Sequence, residues 1–489
     1  MPLWRRFVLP LMLTLLVASC TRDVAIEKTL LTVLPPGYVT GSFMVSFDGT
    51  AYAFIEDADG GQRVVGSSGT GPVFGKCSRL SFTKSNRLFY WGRETTPDAG
   101  GEPRFTLVAD GKPLPTEFIA AGEVVFSDDG SRWLAVGAGP PRAIGELGEI
   151  SLLVEGVEMT RQRDMSVPTF SPDGQHVAYL AKVDDRVRLF IDGIERQGFE
   201  APSAECGVSA LAAAPHPDVP LRHAARYLSD GTVLVMTRDA DGWGVYRDGL
   251  RIASYPAANV DRADPNCSTA SVLAPRSLSK AERAPVAFWW ERVAGDAALW
   301  RVVRDTRPVD DTTCSEPWRH QPPESSADGR RVVYACSQSQ KEGGANVTLL
   351  KGGDRYGPYQ DVWGIAPTKD GAHVAYGASS RELTRPWSIY VDGKPIFEHV
   401  SSVWRPRVSD DGATLAWEAK RDDKDRGIFG INGRVVGSFD DVVWGPEFQS
   451  GTRAVWIVRR GRKISRVSVP FSAAARDRPV RVVTVAPGA

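Results

Sequence analysis

A short unit recurs along this chain about every forty residues, and this repetition restricts the possible folds more than any other feature. In its clearest form, residues 167–180 read VPTFSPDGQHVAYL and residues 188–193 read RLFIDG. An Asp-Gly pair followed by alternating β-branched, small and aromatic residues predicts a tight turn that leads into a strand with one buried face. Related units begin at Phe47, Phe126, Ser229, Ala327, Lys369 and Asp410.

A second Asp-Gly or Asn-Gly pair lies roughly twenty residues after the first in several units and predicts another hairpin. These second pairs begin at Asp110, Asp192, Asp248, Asp392 and Asn432. The segment between units also recurs, with Trp363, Trp404 and Trp444 spaced 41 and 40 residues apart. Two hairpins make four strands, and a four-stranded unit with a period near forty is the blade of a β-propeller. We therefore expect an all-β fold built from four-stranded antiparallel blades.

The number of blades is less constrained than their shape. Candidate units start near residues 43, 80, 122, 167, 224, 285, 322, 363, 404 and 443, and the sixth lacks the Asp-Gly pair. Propellers usually have about four to eight blades, so two units could be additions, or the chain could form two rings. We favour one ring of eight to ten blades. The alternating stretches 29–33 and 480–485 are candidates to share the closing blade.

The first twenty residues have the organisation of an export signal. Two arginines precede an apolar run at residues 7–18, which is too short to span a bilayer as a helix. Residues 17–20 read VASC and resemble the bacterial lipobox, which implies cleavage after Ser19 and acylation of Cys20. Thr21, in place of Asp, implies transfer to the outer membrane in Gram-negative lipoproteins of this type. The alternative is an ordinary secretory peptide that happens to end near a cysteine.

These observations divide the chain into four segments. Residues 1–19 are expected to be the lipoprotein signal peptide, and residues 20–38 the lipidated N-terminus and tether. Residues 39–471 are expected to form the propeller. Residues 472–489 are expected to be a C-terminal tail that can supply a closing strand.

One unit also resembles a known family. Residues 171–179, SPDGQHVAY, are similar to the TolB-like β-propeller repeat, whereas about eight other units match only at the Asp-Gly pair and the strand. The resemblance implies a periplasmic propeller that interacts with proteins, and it carries over no catalytic residue.

Charge and cysteine content limit the partners and the chemistry. Basic and acidic residues number 59 each, so no overall field favours nucleic acid, and we expect no nucleic-acid partner. Five cysteines follow Cys20, an odd number that leaves at least one thiol unpaired in an oxidising compartment. We expect two disulfides and a buried free thiol at Cys77. The expected pairs are Cys206 with Cys267 and Cys314 with Cys336.

No motif identifies a reaction. The chain contains no Gly-x-Ser-x-Gly elbow, and residues 127–133 resemble a sialidase Asp-box that is one residue short, so we interpret them as a blade turn. Acidic pairs at Asp57 and Asp59 and at Asp239 and Asp241 suggest calcium, but both fall where a polar hairpin turn is needed. We therefore expect no catalytic residue, no metal and no cofactor.

The histidines show no metal-binding pattern, and the basic residues near the C-terminus form one cluster. His176 and His373 occupy equivalent positions in different units, and His216 and His223 lie in an insertion, so we expect no histidine metal site. A basic cluster could face anionic lipid or an acidic partner, although a solvated hairpin with Gly461 in its turn is favoured. The cluster comprises Arg459, Arg460, Arg462, Lys463 and Arg466, followed by Arg476, Arg478 and Arg481.

The sequence thus predicts a non-enzymatic lipoprotein of the cell envelope, anchored in the outer membrane and facing the periplasm, with surface exposure as the alternative. Its partners are expected to be the membrane, through the lipid, and another envelope protein. Insertions 200–222 and 254–284 are candidates for the partner surface, because long loops on a rigid scaffold often carry recognition. The alternatives are a propeller enzyme acting on glycans or peptides, and a small-ligand sensor. Clustered carboxylates or an arginine triad at one channel mouth would favour the enzyme.

Overall fold

The computed structural model describes residues 24–485 with gaps. The undescribed internal positions are 96–103, 117, 140–148, 164, 185, 203–224, 229, 240–241, 257–287, 294–295, 305–306, 319–322, 327, 340–344, 380–386, 422–426, 450–451 and 472–479.

The described residues form strands and turns, and they contain no helix long and apolar enough to cross a membrane. The strands form ten sheets, called blades 1 to 10 in chain order. This all-β architecture of small antiparallel sheets is the β-propeller that the repeat predicted. All ten candidate units form a blade, including the sixth, which has three described strands.

The strands of blades 1 to 5 follow the chain in order. Blade 1 contains β2 (Met44–Val45), β3 (Tyr52–Ala58), β4 (Gly61–Gly66) and β5 (Gly69–Phe74). Blade 2 contains β6 (Lys76–Phe82), β7 (Leu88–Arg93), β8 (Phe105–Ala109) and β9 (Lys112–Pro113). Blade 3 contains β10 (Ala120–Phe126), β11 (Trp133–Ala138), β12 (Ile150–Val154) and β13 (Val157–Gln162). Blade 4 contains β14 (Thr169–Phe170), β15 (Val177–Val183), β16 (Arg186–Ile191) and β17 (Ile194–Pro202). Blade 5 contains β18 (Ala225–Tyr227), β19 (Val233–Asp239), β20 (Gly242–Arg247) and β21 (Leu250–Pro256).

Blades 6 to 10 are less uniform. Blade 6 contains β22 (Phe288–Val293), β23 (Asp296–Arg304) and β24 (Arg307–Pro308). Blade 7 contains β25 (Glu316–Pro317), β26 (Glu324–Ser325), β27 (Val332–Ser339), β28 (Ala345–Lys351) and β29 (Asp354–Tyr359). Blade 8 contains β30 (Asp361–Pro367), β31 (Val374–Ser379), β32 (Trp387–Val391) and β33 (Lys394–Val400). Blade 9 contains β34 (Ser402–Val403), β35 (Arg407–Val408), β36 (Leu415–Lys420), β37 (Gly427–Ile431) and β38 (Arg434–Phe439). Blade 10 contains β39 (Asp441–Gln449), β40 (Arg453–Arg460), β41 (Lys463–Pro470), β1 (Val24–Val33) and β42 (Val480–Val485).

Blade 10 joins the two ends of the chain. β1 pairs antiparallel with β41, where Glu27 lies opposite Ser468, and it pairs in parallel with β42, where Val24 lies opposite Val480. Both terminal stretches therefore lie in the last sheet, as their alternating patterns suggested. Residues 24–33, which the sequence assigned to a tether, form its fourth strand.

Two kinds of Asp-Gly turn recur among the blades, and blade 4 contains both. In blade 4, Asp173 Oδ1 accepts the amide hydrogen of Gln175 at 3.0 Å, and Ser171 Oγ accepts that of His176 at 2.9 Å. Only Gly174 of this first turn has a positive φ, at 71°, whereas both residues of the second turn do, at 53° for Asp192 and 77° for Gly193. The two Asp-Gly pairs of this blade therefore form turns of different backbone conformation. The first turn differs because the side chains of its Ser and Asp fix the backbone instead.

The second turn then secures the first. Asp192 Oδ1 accepts the amide hydrogen of Val177 at 2.8 Å, at the start of the second strand. The same bond is made by Asp110, Asp248, Asp392 and Asn432 to Leu88, Val233, Val374 and Leu415. Both turns of a blade therefore lie at one edge of the sheet, which we call the turn face. The turns between second and third strands, and the connections between blades, lie on the opposite loop face.

The hydrophobic core lies between neighbouring blades. For example, Leu134 and Val136 of blade 3 pack with Val177 and Tyr179 of blade 4 in one buried cluster. Blades 10 and 1 share a smaller cluster that includes Phe54 and Ile457.

On the turn face, first turns of adjacent blades contact each other. Arg132 Nη1 donates to the carbonyl of Gly174 at 2.7 Å, and Gln449 Nε2 of blade 10 donates to the carbonyl of Asp48 of blade 1 at 2.9 Å. Closure into one ring stays a prediction, because residues 257–287, between blades 5 and 6, lie outside the described residues.

Candidate functional site

The first strands of neighbouring blades contact one another, as expected of the strands nearest a propeller axis. In blades 2, 3, 8 and 10 the pairing of the first strand is interrupted near its loop-face end, four residues before the Ser or Thr of the first turn or its equivalent, and in blade 9 the first strand is divided at this position. Gly364 and Gly445 occupy this position in blades 8 and 10 with φ of 68° and 97°. Arg79, Glu123 and Arg405 occupy it in blades 2, 3 and 9. Blades 2, 3 and 9 therefore have a charged side chain at the position where blades 8 and 10 have glycine.

In blades 2 and 3 these charges neutralise each other. Arg79 Nη1 donates to Glu123 Oε1 at 3.0 Å, which links the two first strands. Glu123 is buried, and burial raises its pKa, while the Arg79 charge opposes this rise. The pair is a satisfied bridge between blades and leaves little charge to offer a ligand.

Blades 9 and 10 carry a different arrangement, which we call the inner cluster. It comprises Trp404, Arg405, Arg407, Glu418 and Glu447. Arg405, Arg407 and Glu447 are exposed, whereas Glu418 is 3% exposed, and its Oε2 has no hydrogen-bond partner. The backbone amide of Trp404 donates to the carbonyl of Glu418 at 3.2 Å, which fixes the second strand against the first.

Glu418 is not part of a hydrogen-bonded ion pair. Its Oε1 lies 3.8 Å from Arg405 Nε, which is too far for a hydrogen bond. Burial raises the pKa of Glu418 to about 8, and Asp441 adds to the rise, while Arg405 and Arg407 oppose it. Glu418 is therefore mostly neutral at pH 7, and among the described residues no carboxylate forms a hydrogen bond with Arg405.

Counted over the described residues of the inner cluster alone, positive charge exceeds negative charge. Although part of the Glu447 side chain is exposed, the protein around its carboxyl group displaces enough water to raise its pKa, and the charges of Arg407 and Arg405 oppose this rise. Within the cluster, two guanidinium groups thus lie near two carboxyl groups, of which Glu418 is mostly neutral, while Asp441 lies near enough to raise the pKa of Glu418. Lys420 adds a third cation, with Nζ 5.5 Å from the centre of the Trp404 ring. Guanidinium groups bind carboxylates through paired hydrogen bonds, so this arrangement can receive an anionic group beside an aromatic surface.

The inner cluster was not among the sites predicted from the sequence. Its signal was present in the aligned segments VWG, VWR and VWG at residues 362–364, 403–405 and 443–445, where only the middle one has arginine. Glu418 has no comparable signal in the sequence, because it occupies one of the regularly alternating positions of a strand. Its burial depends on neighbouring blades.

The predicted cysteine sites have different outcomes. Cys314 and Cys336 form a disulfide, with Cα atoms 5.4 Å apart. Because Cys314 bridges to Trp300 of blade 6 and Cys336 lies in β27 of blade 7, this bond crosses a junction between blades. Cys77 is a buried free cysteine, and burial raises its pKa to about 12. Cys20, Cys206 and Cys267 lie outside the described residues.

The acidic pairs and histidines lie in turns. Asp57 is the second-last residue of β3 and lies opposite Gln62, whereas Asp239 is the last residue of β19 and lies opposite Gly242. Asp241 lies outside the described residues. His176 Nδ1 lies 2.6 Å from Asp192 Oδ2, and His373 Nδ1 lies 2.6 Å from Asp392 Oδ2.

These contacts tie the first turn to the second within a blade. His216 and His223 lie in an insertion outside the described residues. Among the described residues, no group of three or more His, Cys, Asp or Glu side chains is arranged to hold a metal ion.

The sialidase-like segment at residues 127–133 forms the first turn of blade 3. Ser127 Oγ donates to Asp129 Oδ1 at 2.6 Å, and Asp129 Oδ1 accepts the amide hydrogen of Ser131 at 3.0 Å. Its side chains therefore stabilise a turn, as in the other blades.

The basic cluster lies on the hairpin between β40 and β41. Gly461 has a φ of 59° in the turn, and Arg460 and Arg462 are exposed there. Arg459 Nη2 lies 3.8 Å from Asp441 Oδ2, and Arg462 Nε donates to the carbonyl of Leu34 at 2.6 Å. Part of this charge therefore serves structural contacts. Arg476 and Arg478, the side chain of Arg481, and most of the two insertions lie outside the described residues.

Comparisons with known proteins add little to this geometry. No protein-family model matches the chain, and no curated protein matches it. Among solved structures, the chain is similar to one titled "Crystal structure of TolB from Acinetobacter baumannii", at 10% sequence identity over 79% of this chain and 76% of that chain. The TM-score is 0.21, so the fold description rests on the strand pairing given above.

Proposed function

We propose that this chain is a non-enzymatic binding propeller of the bacterial cell envelope. In this proposal the acylated Cys20 anchors it in the outer membrane, the propeller faces the periplasm, and the inner cluster binds a carboxylate-rich segment of another envelope protein. The lipobox-like residues 17–20 support the anchor, and the first-strand geometry supports the binding site.

The observation that carries the binding role is the exposure of Arg405 and Arg407 beside a buried, mostly neutral Glu418. A guanidinium pair without a full set of anionic partners gains most from an incoming carboxylate, because charge-assisted hydrogen bonds are stronger than neutral ones. Trp404, which is half-buried, supplies an adjacent apolar surface. Aromatic and arginine side chains are enriched at the energetic centres of protein interfaces.

The same observation weighs against hydrolysis of a glycan. Two carboxyl groups near two arginines resemble part of the arrangement that would favour a propeller enzyme. A glycosidase acid must reach the leaving-group oxygen of its substrate. Glu418 Oε2 has almost no contact with solvent, so a ligand in the channel cannot reach it without rearrangement of the strands. Glu447 alone does not provide the two carboxyl groups that hydrolysis of a glycan requires.

The test is capture of partners from solubilised envelopes with the full chain as bait. The double variant Arg405→Ala and Arg407→Ala should lose the partner that the wild type retains, because it removes both guanidinium groups. The matched control is Arg421→Ala with Arg460→Ala, which removes the same charge from exposed positions on the loop face of the same two blades.

Equal loss in both double variants would show that general charge, and not the inner cluster, holds the partner. Retention of the partner by the first variant would refute the proposed site. Hydrolysis of a glycan or peptide by the wild type, abolished by Glu447→Gln, would replace the binding role with the enzymatic one.

A further inference from the structure

The three most exposed large aliphatic side chains among the described residues lie on the turn face. Val157, Ile194 and Leu250 are 71%, 68% and 73% exposed, and each is the first residue after the second turn of its blade. They belong to blades 3, 4 and 5, which are consecutive along the chain. Phe47, in the first turn of blade 1, is 63% exposed on the same face. Large aliphatic residues at turn tips are unusual, because turns favour polar residues and glycine.

The charges next to these tips are paired with one another. Glu195 follows Ile194, and its Oε1 lies 2.9 Å from Arg188 Nη1. Glu158 follows Val157, and its Oε2 lies 2.7 Å from Arg161 Nη2. The rim of blades 3 and 4 is therefore apolar at its tips and nearly neutral beside them.

The anchored end of the chain emerges on this same face. β41 runs toward the turn face, since its last residue, Pro470, pairs with Arg453 just after the first turn of blade 10. β1 is antiparallel to β41, so it begins on the turn face, and Arg453 Nη2 lies 2.7 Å from Glu27 Oε2 near its start. Cys20 precedes Val24 by four residues, which span at most about 14 Å when fully extended. An acyl group on Cys20 would therefore hold the bilayer close to the turn face.

We propose that the turn face lies against the phospholipid bilayer, with Ile194 and its neighbouring aliphatic tips in the headgroup region. This rests on the proposed anchor at Cys20 and adds an orientation to it. Apolar side chains at an interface enter roughly 5–10 Å into the boundary between headgroups and acyl chains. The loop face, toward which the inner cluster lies, would then point away from the membrane and remain open to a partner.

The experiment places an environment-sensitive fluorophore on Ile194→Cys or on Asp184→Cys in the full, acylated chain. Asp184 is the matched control, because it is an exposed turn residue of the same blade on the opposite face. The proteins are reconstituted into vesicles of phosphatidylethanolamine and phosphatidylglycerol that contain a spin-labelled lipid quencher. The wild-type chain, treated in parallel, gives the background from native thiols, and mass spectrometry of the N-terminal peptide records acylation of Cys20.

We expect a blue-shifted emission and loss of most fluorescence by quenching at position 194, with little change at position 184. Equal, weak quenching at both positions in an acylated protein would overturn the orientation and leave the anchor intact. Stronger quenching at position 184 would reverse the orientation. Absence of the acyl group would overturn the anchor and the orientation together.

Discussion

Glu418 should make the stability of this protein depend on pH in a direction opposite to that of most carboxylates. Its pKa rises from 4.5 to about 8 in the folded chain, because burial disfavours the charged form. The folded state therefore keeps a proton that the unfolded state releases between these two values. By linkage, this contribution to stability is fully present below pH 4.5 and is lost as the pH rises toward 8.

The size of the effect follows from the shift. Each pH unit between the two pKa values costs about 1.4 kcal/mol of unfolding free energy, so the whole interval costs on the order of 5 kcal/mol. This figure is an upper bound, because an ionised Glu418 can draw Arg405 closer. Replacement of Glu418 by Gln keeps the shape of the neutral carboxyl and cannot ionise. The variant should therefore equal the wild type near pH 5 and exceed it by a few kcal/mol at pH 8.

Thermal unfolding of both proteins, followed by circular dichroism from pH 5 to pH 9, measures this difference. The Tm of the Glu418→Gln variant should exceed that of the wild type by several degrees at high pH and converge with it at low pH. Glu398→Gln is the control, because it removes an exposed carboxylate of blade 8 whose side chain is 52% accessible. Other titrating groups, including Glu447, are common to all three proteins and cancel in the comparison.

If the Tm difference between the variant and the wild type stays constant with pH, the claim that Glu418 is buried and neutral is refuted. A difference that grows toward low pH would also refute it, because it would mean that Glu418 is ionised and stabilised in the folded chain.

Three further predictions concern other described contacts. Asp392→Ala should lower the free energy of unfolding by about 2 kcal/mol, since it leaves Lys351 without the carboxylate that lies 2.6 Å away. Asp392→Asn should lower it less, because an asparagine, Asn432, makes the same hydrogen bond to the backbone in blade 9. Because the pKa of Asp392 is lowered, the gap between wild type and Asp392→Ala should shrink as the pH falls into the acid range, measured by Tm. Arg79→Ala should lower the free energy of unfolding by about 3 kcal/mol at pH 8, because it leaves the buried Glu123 carboxylate without its cation, and by less at pH 5. An equal loss of stability at the two pH values would contradict the ion pair between Arg79 and Glu123. Cys77 should resist alkylation at pH 8 until the chain is denatured, because its thiol is buried and its pKa is raised. Rapid alkylation of Cys77 in the folded protein would contradict this.

Local chemistry explains why so much of the fold was predictable from the sequence. The Asp-Gly and Asn-Gly pairs specify turns through backbone conformations and short-range hydrogen bonds, which need no distant residue. The strands between these turns alternate apolar and polar residues. Their apolar faces become buried when the blades stack on one another. The sixth unit lacks the pair and still forms a blade, whose Trp300 and Val302 pack against Val332 and Tyr334 of blade 7.

The candidate site was much less predictable, because its properties come from contacts between blades. Nothing local distinguishes Glu418 from other strand residues, yet its burial by neighbouring strands makes it neutral. Arg79 and Arg405 occupy the same repeat position, yet one meets Glu123 on the next blade and the other meets no bonded carboxylate.

The sequence by itself thus determined the blade, its turns and the shared last sheet, since these depend on backbone chemistry and on periodicity within forty residues. Only the tertiary structure decided which charges are paired, which carboxyl is buried and which face carries the aliphatic tips. Those properties depend on dielectric surroundings and on the distances between residues that are far apart in the chain.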